Sequence, residues 1–339
     1  MKFVKNLFVL FLAFCMTAGI CAAPSAAIAA GTQAADEDPA GEYTAFAAER
    51  LGMMTALENM GGSSSITLNE DGTGTFVFNG EESSITAWKF EDGKVTSPVE
   101  GDEAAAEYKD GTLALDLSGD GTSLFHYAKE GVDTSGYDLK SLEEIQAGPD
   151  SKTNAAFKAI DTEAGAHLSS EVHLDSLNSD TLYDVHAKGG TYYSGRSSKA
   201  GSLEGTGATF AQDGKAYNLK PDKMEARYVT ESDLIKDNGL QMDSLYQQLM
   251  NYSKDARYTE EKREYNGISY DAEVFAETKY SPGIAFSFGE DGQLAFVETS
   301  PFTTASGTEL PVQLYTIHSI DGTIDESLLD ISAYTIVEE

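Results

Sequence analysis

GTGATFAQDGKAYNLKPDKMEARYV, residues 205–229, holds three short strands and the turns between them. Residues 208–211 form the first and run into Gln212-Asp213-Gly214. Residues 215–219 set Tyr217 and Leu219 against Asn218, and Pro221-Asp222-Lys223 turns the chain into 225–229. Asp-Gly supplies the positive φ, and Pro the preset φ, that tight hairpin turns need, so the stretch reads as an antiparallel meander.

The pattern extends to both sides. Upstream, a short helix around Phe157 and Ile160 opens a unit near Thr153, followed by strands over 168–174, 182–188 and 191–195. Within 182–188, Tyr183, Val185 and Ala187 share one face, and Leu182, Asp184 and His186 the other. Downstream, residues 241–252 place Met242, Leu245, Leu249 and Tyr252 on one helical face behind the breaker Asn238-Gly239. Strands resume over 257–265, 268–276, 284–288, 294–297 and 312–317, with turns at Asn266-Gly267 and Asp291-Gly292. Ile268, Tyr270, Ala272, Val274 and Ala276 alternate with Ser269, Asp271, Glu273 and Phe275; Ile284, Phe286 and Phe288 alternate with Ala285 and Ser287. The helix needs an apolar surface to cover. These strands are expected to offer a concave one, lined by Tyr183, Val185, Tyr217, Leu219, Tyr228, Ile268, Tyr270, Val274, Phe286, Phe288 and Phe296.

The N-terminus reads as an export signal over residues 1–30: Lys2 and Lys5 form a basic n-region, and 7–20 an apolar h-region. Ala27-Ile28-Ala29 is a small-x-small box, so cleavage is expected near Ala29 or Ala30, which removes both cysteines, Cys15 and Cys21. The alternative is a lipoprotein anchored through Cys21, against which stands the large Ile20 before it. The protein is therefore expected to be secreted or at the cell surface. No second long apolar run follows, so no transmembrane span is expected after signal removal.

Residues 31–41, small and acidic, read as a flexible tether. A small β domain is expected over 42–130. Phe46, Leu51, Met54 and Leu57 fall near helical spacing over 44–60, with Gly61-Gly62 as the stop, which predicts one amphipathic helix. Short alternating segments follow at 66–68, 75–78, 85–90, 94–96, 113–117 and 124–127, separated by Asp-Gly turns. That spacing predicts a small antiparallel barrel or sandwich closed by the helix. Residues 131–152 read as a linker, with a short helix around Leu139, Leu142 and Ile145, ahead of a domain over 153–339.

Two resemblances follow from these residues. Gly41 and Tyr43, the run Leu68-Asn69-Glu70-Asp71-Gly72-Thr73-Gly74-Thr75, and Trp88 before Asp92-Gly93-Lys94-Val95 resemble the small lipocalin-like repeat of gram-positive envelope proteins. That resemblance implies a fold without an activity. In the second domain, Ala187-Lys188-Gly189-Gly190-Thr191-Tyr192, Asp213-Gly214-Lys215-Ala216-Tyr217, Tyr265-Asn266-Gly267-Ile268-Ser269-Tyr270 and Phe288-Gly289-Glu290-Asp291-Gly292-Gln293-Leu294 come in the order seen in LolA-like proteins. So does the ending, Ile324-Asp325-Glu326-Ser327-Leu328-Leu329-Asp330-Ile331 followed by Tyr334. The LolA/LppX-like lipoprotein and lipid carrier superfamily implies an unclosed antiparallel β-barrel covered by helices, with a cavity for acyl chains. The fold class expected is thus mainly β (α+β): a small barrel or sandwich with one helix, then a LolA-like half-barrel.

The chain of 339 residues carries 23 Lys and Arg against 56 Asp and Glu, a net charge of −33 that becomes about −35 once Lys2 and Lys5 leave with the signal. Such acidity excludes nucleic acid, whose phosphates need cationic neutralisation, and electrostatic docking on anionic lipid. No nucleophile elbow, P-loop or dinucleotide fingerprint occurs. Asn69-x-Asp71-x-Thr73-Gly74 starts like a calcium loop, but its twelfth position is Gly80, so the closing carboxylate is missing and a plain hairpin is expected. His173 and His186 are placed to face each other across a hairpin, with Asp175 or Asp184 as third ligand; two histidines on exposed strands are more often solvated, and no metal is expected. Asp271 and Glu273, at strand spacing, mimic a glycosidase pair that arises by chance in so acidic a chain. The expectation is a non-enzymatic exported bacterial envelope protein, without cofactor, that binds a lipid or other apolar small molecule in the half-barrel. The alternative is a secreted acidic interaction module with a filled core, meeting a protein or cell-wall partner.

Overall fold

The structure, a computed structural model, describes residues 38–99, 102–119, 121–174, 179–198, 207–231, 239–304 and 306–338. The expected signal segment, most of the tether and Asp175 lie outside the described residues. Two compact units divide the chain: Met1–Pro149 with Lys254–Arg257, and Asp150–Ser253 with Tyr258–Glu339. No helix among the described residues is long and apolar enough to cross a membrane.

The first unit is one ten-stranded antiparallel sheet. Its strands are β1 (Gly41–Arg50), β2 (Met53–Ala56), β3 (Ser64–Leu68), β4 (Gly74–Phe78), β5 (Glu81–Ile85), β6 (Lys89–Glu91), β7 (Lys94–Val99), β8 (Asp102–Lys109), β9 (Thr112–Asp116) and β10 (Ser123–Lys129). They run in the order β5-β4-β3-β1-β10-β9-β8-β7-β6, with β2 on β1. Tyr43, Leu113, Phe125 and Tyr127 form the centre of the core. The Tyr127 hydroxyl shares a 2.9 Å hydrogen bond with Ser64 Oγ, so the buried phenol keeps a partner.

The helix expected over 44–60 does not form. Residues 41–50 and 53–56 are strands, and only Leu57–Met60 coils, as a single 3₁₀ turn ended by Gly61 at φ 67. The cause is coverage of both faces. Tyr43 and, past the bulge, Ala48 belong to the core, while on the other side Phe46 meets Tyr137 edge-on at 4.8 Å. A bulge between Ala45 and Ala47 shifts the alternation as well. With no polar face and a slipped register, the period of two is lost and helical spacing appears by accident. The segment expected as one strand over 85–90 is split between β5 and β6, and β8 has no expected counterpart. The run at Asn69 is a turn closed on itself: Asp71 Oδ1 accepts from Thr73 N at 2.9 Å and Thr73 Oγ1 at 2.6 Å, with Trp88 Nε1 donating to Asn69 O at 3.0 Å. After it come α1 (Leu142–Ala147), with a capping box between Ser141 and Glu144, and α2 (Lys152–Lys158), which opens the second unit.

The second unit is a twelve-stranded sheet curled as a half-barrel. Its strands are β11 (Ala166–Leu174), β12 (Ser179–Lys188), β13 (Thr191–Ser198), β14 (Gly207–Gln212), β15 (Lys215–Lys220), β16 (Glu225–Glu231), β17 (Tyr258–Tyr265), β18 (Ile268–Phe275), β19 (Ile284–Phe288) and β20 (Leu294–Thr299). A two-stranded flap, β21 (Phe302–Thr303) with β22 (Glu309–Leu310), precedes β23 (Gln313–Asp321) and β24 (Thr335–Val337). The order is β17-β18-β19-β20-β23-β11-β12-β13-β14-β15-β16-β24, so the sheet is open at β17 and β24. The meander of 205–229 supplies β14, β15 and β16. Asp213 and Gly214, at φ 51 and 77, make the turn that the Asp-Gly pair implies. The fold is mainly β, and among the described residues every strand pair is antiparallel except β16–β24.

Candidate functional site

The inner face of the half-barrel is covered by α3 (Ser244–Tyr252), which buries Leu245, Tyr246, Leu249 and Tyr252. Asp243 caps it, accepting from Tyr246 N at 2.9 Å, so the helix expected from Gln241 begins three residues later, after a 3₁₀ turn. Beneath α3 lie Phe275, Ile284, Phe286, Phe288, Leu294 and Val297, together with Leu168, Val172 and Val185 from the strands across the sheet. Tyr252 packs on Phe275 at 4.8 Å and on Phe286 at 5.8 Å, and Phe275 meets Phe286 at 88°. Phe157 of α2 adds a ring contact to Tyr246 at 5.5 Å.

Of the eleven residues expected to line this face, Val185, Phe286 and Phe288 are in its core and Tyr183 is half-buried at its margin. The rest are elsewhere. Tyr217 and Leu219 pack on the opposite face with Phe210 and Ala226, beneath Ile331 and Tyr334 of the C-terminal tail, and Tyr228 meets Tyr217 there at 6.0 Å. Tyr270 and Phe296 form another outer cluster with Tyr265, whose ring stacks on Phe296 at 4.3 Å. Val274 is half-buried on that side of β18, and Ile268 is 58% exposed at the strand's end. Register gives the reason. Opposed residues share a face, and β18 sets Glu273 against Phe286 and Asp271 against Phe288. The polar row of β18 therefore turns inward, with Phe275 completing it.

Glu273 is buried because it serves α2. Its carboxylate accepts from Lys152 N at 2.7 Å, Thr153 N at 2.9 Å and Thr153 Oγ1 at 2.6 Å, which satisfies N–H groups that the first helical turn leaves open. Asp271 is bridged by Lys152 and Lys262, and the two ammonium groups hold its carboxyl below the ordinary value. Both carboxylates of the apparent glycosidase pair are thus engaged in structural bonds. Glu273→Ala is expected to cost about 2 kcal/mol of stability in urea unfolding, by leaving buried donors open. An unchanged midpoint would show that the cap is dispensable.

Burial raises the carboxyl of Asp243 above its usual value, against the pull of N–H bonds from Tyr246 and Leu245. A folded pKa above the unfolded one favours the protonated form in the folded chain. Its stabilising contribution is complete below the unfolded value and is lost as pH rises through the folded one. Asp243→Asn keeps an N-cap and removes the charge, so the unfolding midpoint is expected to rise at pH 7 and to match the parent at about pH 3, below the usual carboxylate range. A lower midpoint at pH 7 would contradict this.

On the outer face, the β11–β12 register pairs His167 with His186 and His173 with Asp180, so the expected His173–His186 pair does not form. His173 Nδ1 lies 2.6 Å from Asp180 Oδ1 instead. The His167 and His186 rings stack at 4.5 Å and 7°, with Asp184 beside both. Asp321, next to His167, is held below the usual carboxyl value by bonds from the Ser319 hydroxyl and Thr323 N–H.

No protein-family model matches the chain, and no curated protein does. Among solved structures, it is similar to an uncharacterized conserved protein from Thermus thermophilus at 12% identity and a TM-score of 0.32, covering 59% of this chain and 100% of that one. It is also similar to a LolA superfamily protein from Nitrosomonas europaea at 8% identity and a TM-score of 0.21, covering 53% and 96%. Likeness of fold by itself assigns no ligand.

Proposed function

We propose that this chain is a non-enzymatic exported protein of the bacterial envelope whose second unit holds a lipid or other apolar ligand between α3 and the half-barrel. One observation carries the reading: the largest apolar cluster among the described residues lies on a half-barrel open at both edge strands, and its main cover is one helix of nine residues. A cover that short, held by Leu245, Tyr246, Leu249 and Tyr252, is a small cooperative piece that lifts at lower cost than a whole unit unfolds. Ligand entry requires that motion, because Leu249 and Phe286 are both fully buried. Export is supported by Lys2, Lys5 and the apolar run after them.

A second reading is favoured by the same burial. With Phe286, Leu249 and Val297 at 0% exposure, the core is closed, and the acidic surface would do the work by meeting a protein or cell-wall partner. Native mass spectrometry with lipid extraction on the full chain, purified gently from a bacterial host, separates the two. Co-purified acyl lipid, lost in Tyr183→Lys at the half-buried margin, supports the carrier. A ligand-free mass that also takes up no added fatty acid or phospholipid moves the assignment to the closed interaction module.

A further inference from the structure

The His167, Asp184 and His186 side chains converge on the outer face, away from the apolar core. Asp184 Oδ1 lies 2.9 Å from His167 Nε2, and Oδ2 lies 3.4 Å from His186 Nε2. One donor atom from each residue falls within 4.8 Å of the others. We propose that these three residues bind a divalent first-row transition cation, zinc above all, with water in the fourth position.

Two imidazoles and a carboxylate are a donor set of the kind that holds zinc in open, three-ligand sites. A tetrahedral shell with bonds of about 2.0–2.1 Å sets its donors about 3.3 Å apart, so the cluster closes on a cation when the two parallel rings turn out of their stack to aim both Nε2 atoms at one point. Access is built in. The Asp184 side chain is 44% exposed, whereas those of His167 and His186 are 19% and 6% exposed, so the cation meets the carboxylate first and the imidazoles behind it. Behind His167, Nδ1 faces Ser319 Oγ at 3.3 Å, with Asp321 Oδ1 3.6 Å away, so a cation that takes Nε2 from its bond to Asp184 leaves the ring proton on Nδ1 with acceptors beside it. Gly195, opposite Asp184, lets the Tyr193 ring wall one side: a Cβ there would stand 3.0 Å from Tyr193 Oη.

His186 couples the site to the C-terminal tail. Its Nδ1 accepts from Asp325 N at 3.2 Å, so in the metal-free chain its proton sits on Nε2. A cation on Nε2 moves that proton to Nδ1, where it confronts the Asp325 N–H donor. Metal binding and the Asp325 hydrogen bond therefore exclude each other.

The full chain, dialysed against chelator, is titrated with Co(II) as an optical probe and then with Zn(II). The expected result is one saturable equivalent with visible d–d bands that Zn(II) displaces. Affinity should fall on the order of 100-fold in His167→Gln, His186→Gln and Asp184→Asn, and stay unchanged in His173→Gln and His318→Gln. Amide exchange at Asp325 should accelerate on zinc binding. Far-UV circular dichroism confirms that each variant folds; Asp184→Asn, on the exposed side, carries the test if the histidine variants do not. No saturable uptake by the parent chain overturns the proposal. So does uptake indifferent to these substitutions, or full occupancy with unchanged exchange at Asp325.

Discussion

Asp255→Ala is expected to destabilise the first unit by about 3–5 kcal/mol, because it strands a buried guanidinium. Asp255 and Arg257 belong to the short segment that completes the first unit, and their side chains are 1% and 4% exposed. The pair is bidentate, with Arg257 Nε donating to Oδ1 at 2.9 Å and Nη2 to Oδ2 at 2.7 Å. Nη1 donates to Gly121 O at 3.1 Å, and Ala256 N to Leu51 O at 2.8 Å, which tie the segment to the turn before β10 and to the end of β1. Buried pairs add little over an apolar replacement, but a single buried charge is costly. The double variant Asp255→Ala with Arg257→Met is therefore expected to recover most of the loss. Trp88, the chain's one tryptophan, lies in the first unit and reports its unfolding by fluorescence in urea. Equal losses in the single and double variants would show that packing, and not the stranded charge, sets the cost.

Phe286→Ala is expected to cost the second unit about 3–5 kcal/mol. The ring is fully buried and touches both Tyr252 of α3 and Phe275 of β18, so its removal opens an apolar void at the helix–sheet seam. The midpoint of the second unit's urea transition, followed by circular dichroism, measures it. A void lined by apolar groups stays dry and accepts small apolar molecules, so added benzene should restore part of the loss. A cost below about 1 kcal/mol would mean that α3 collapses onto the sheet without strain, and that the seam is loosely packed.

How much was legible depended on where polarity was used. In the second unit, Asp213-Gly214 and Asn266-Gly267 punctuate the strands with tight turns, and the strand runs there follow the sequence closely. The run 284–288 coincides with β19. In the first unit, β1 is covered on both faces, so Phe46 falls in with Leu51, Met54 and Leu57 as a helical stripe. The site was half legible. Val185, Phe286 and Phe288 followed from alternation, but β18 turned on Glu273, whose role as a cap for α2 depends on a residue more than a hundred positions away. No local pattern announces such a bond. The outer aromatics Tyr270 and Phe296 were drawn inward by hydrophobicity alone, since neither Tyr265 stacking on Phe296 nor the tail over Tyr217 has a signal in local periodicity. His186 was singled out with the wrong partner: the register sets His167 against it, a matter of where the hairpin turns.

The central claim is that α3 is a displaceable cover over an apolar ligand site. Amide hydrogen exchange on the full chain, with and without an added long-chain fatty acid, tests it most directly. The account predicts that α3 exchanges well before the strands beneath it in the free chain, and that ligand changes exchange in α3 and in β18, β19 and β20 while the first unit is unaffected. Exchange of α3 only together with the whole sheet, and no response to ligand, would contradict it and leave a closed core.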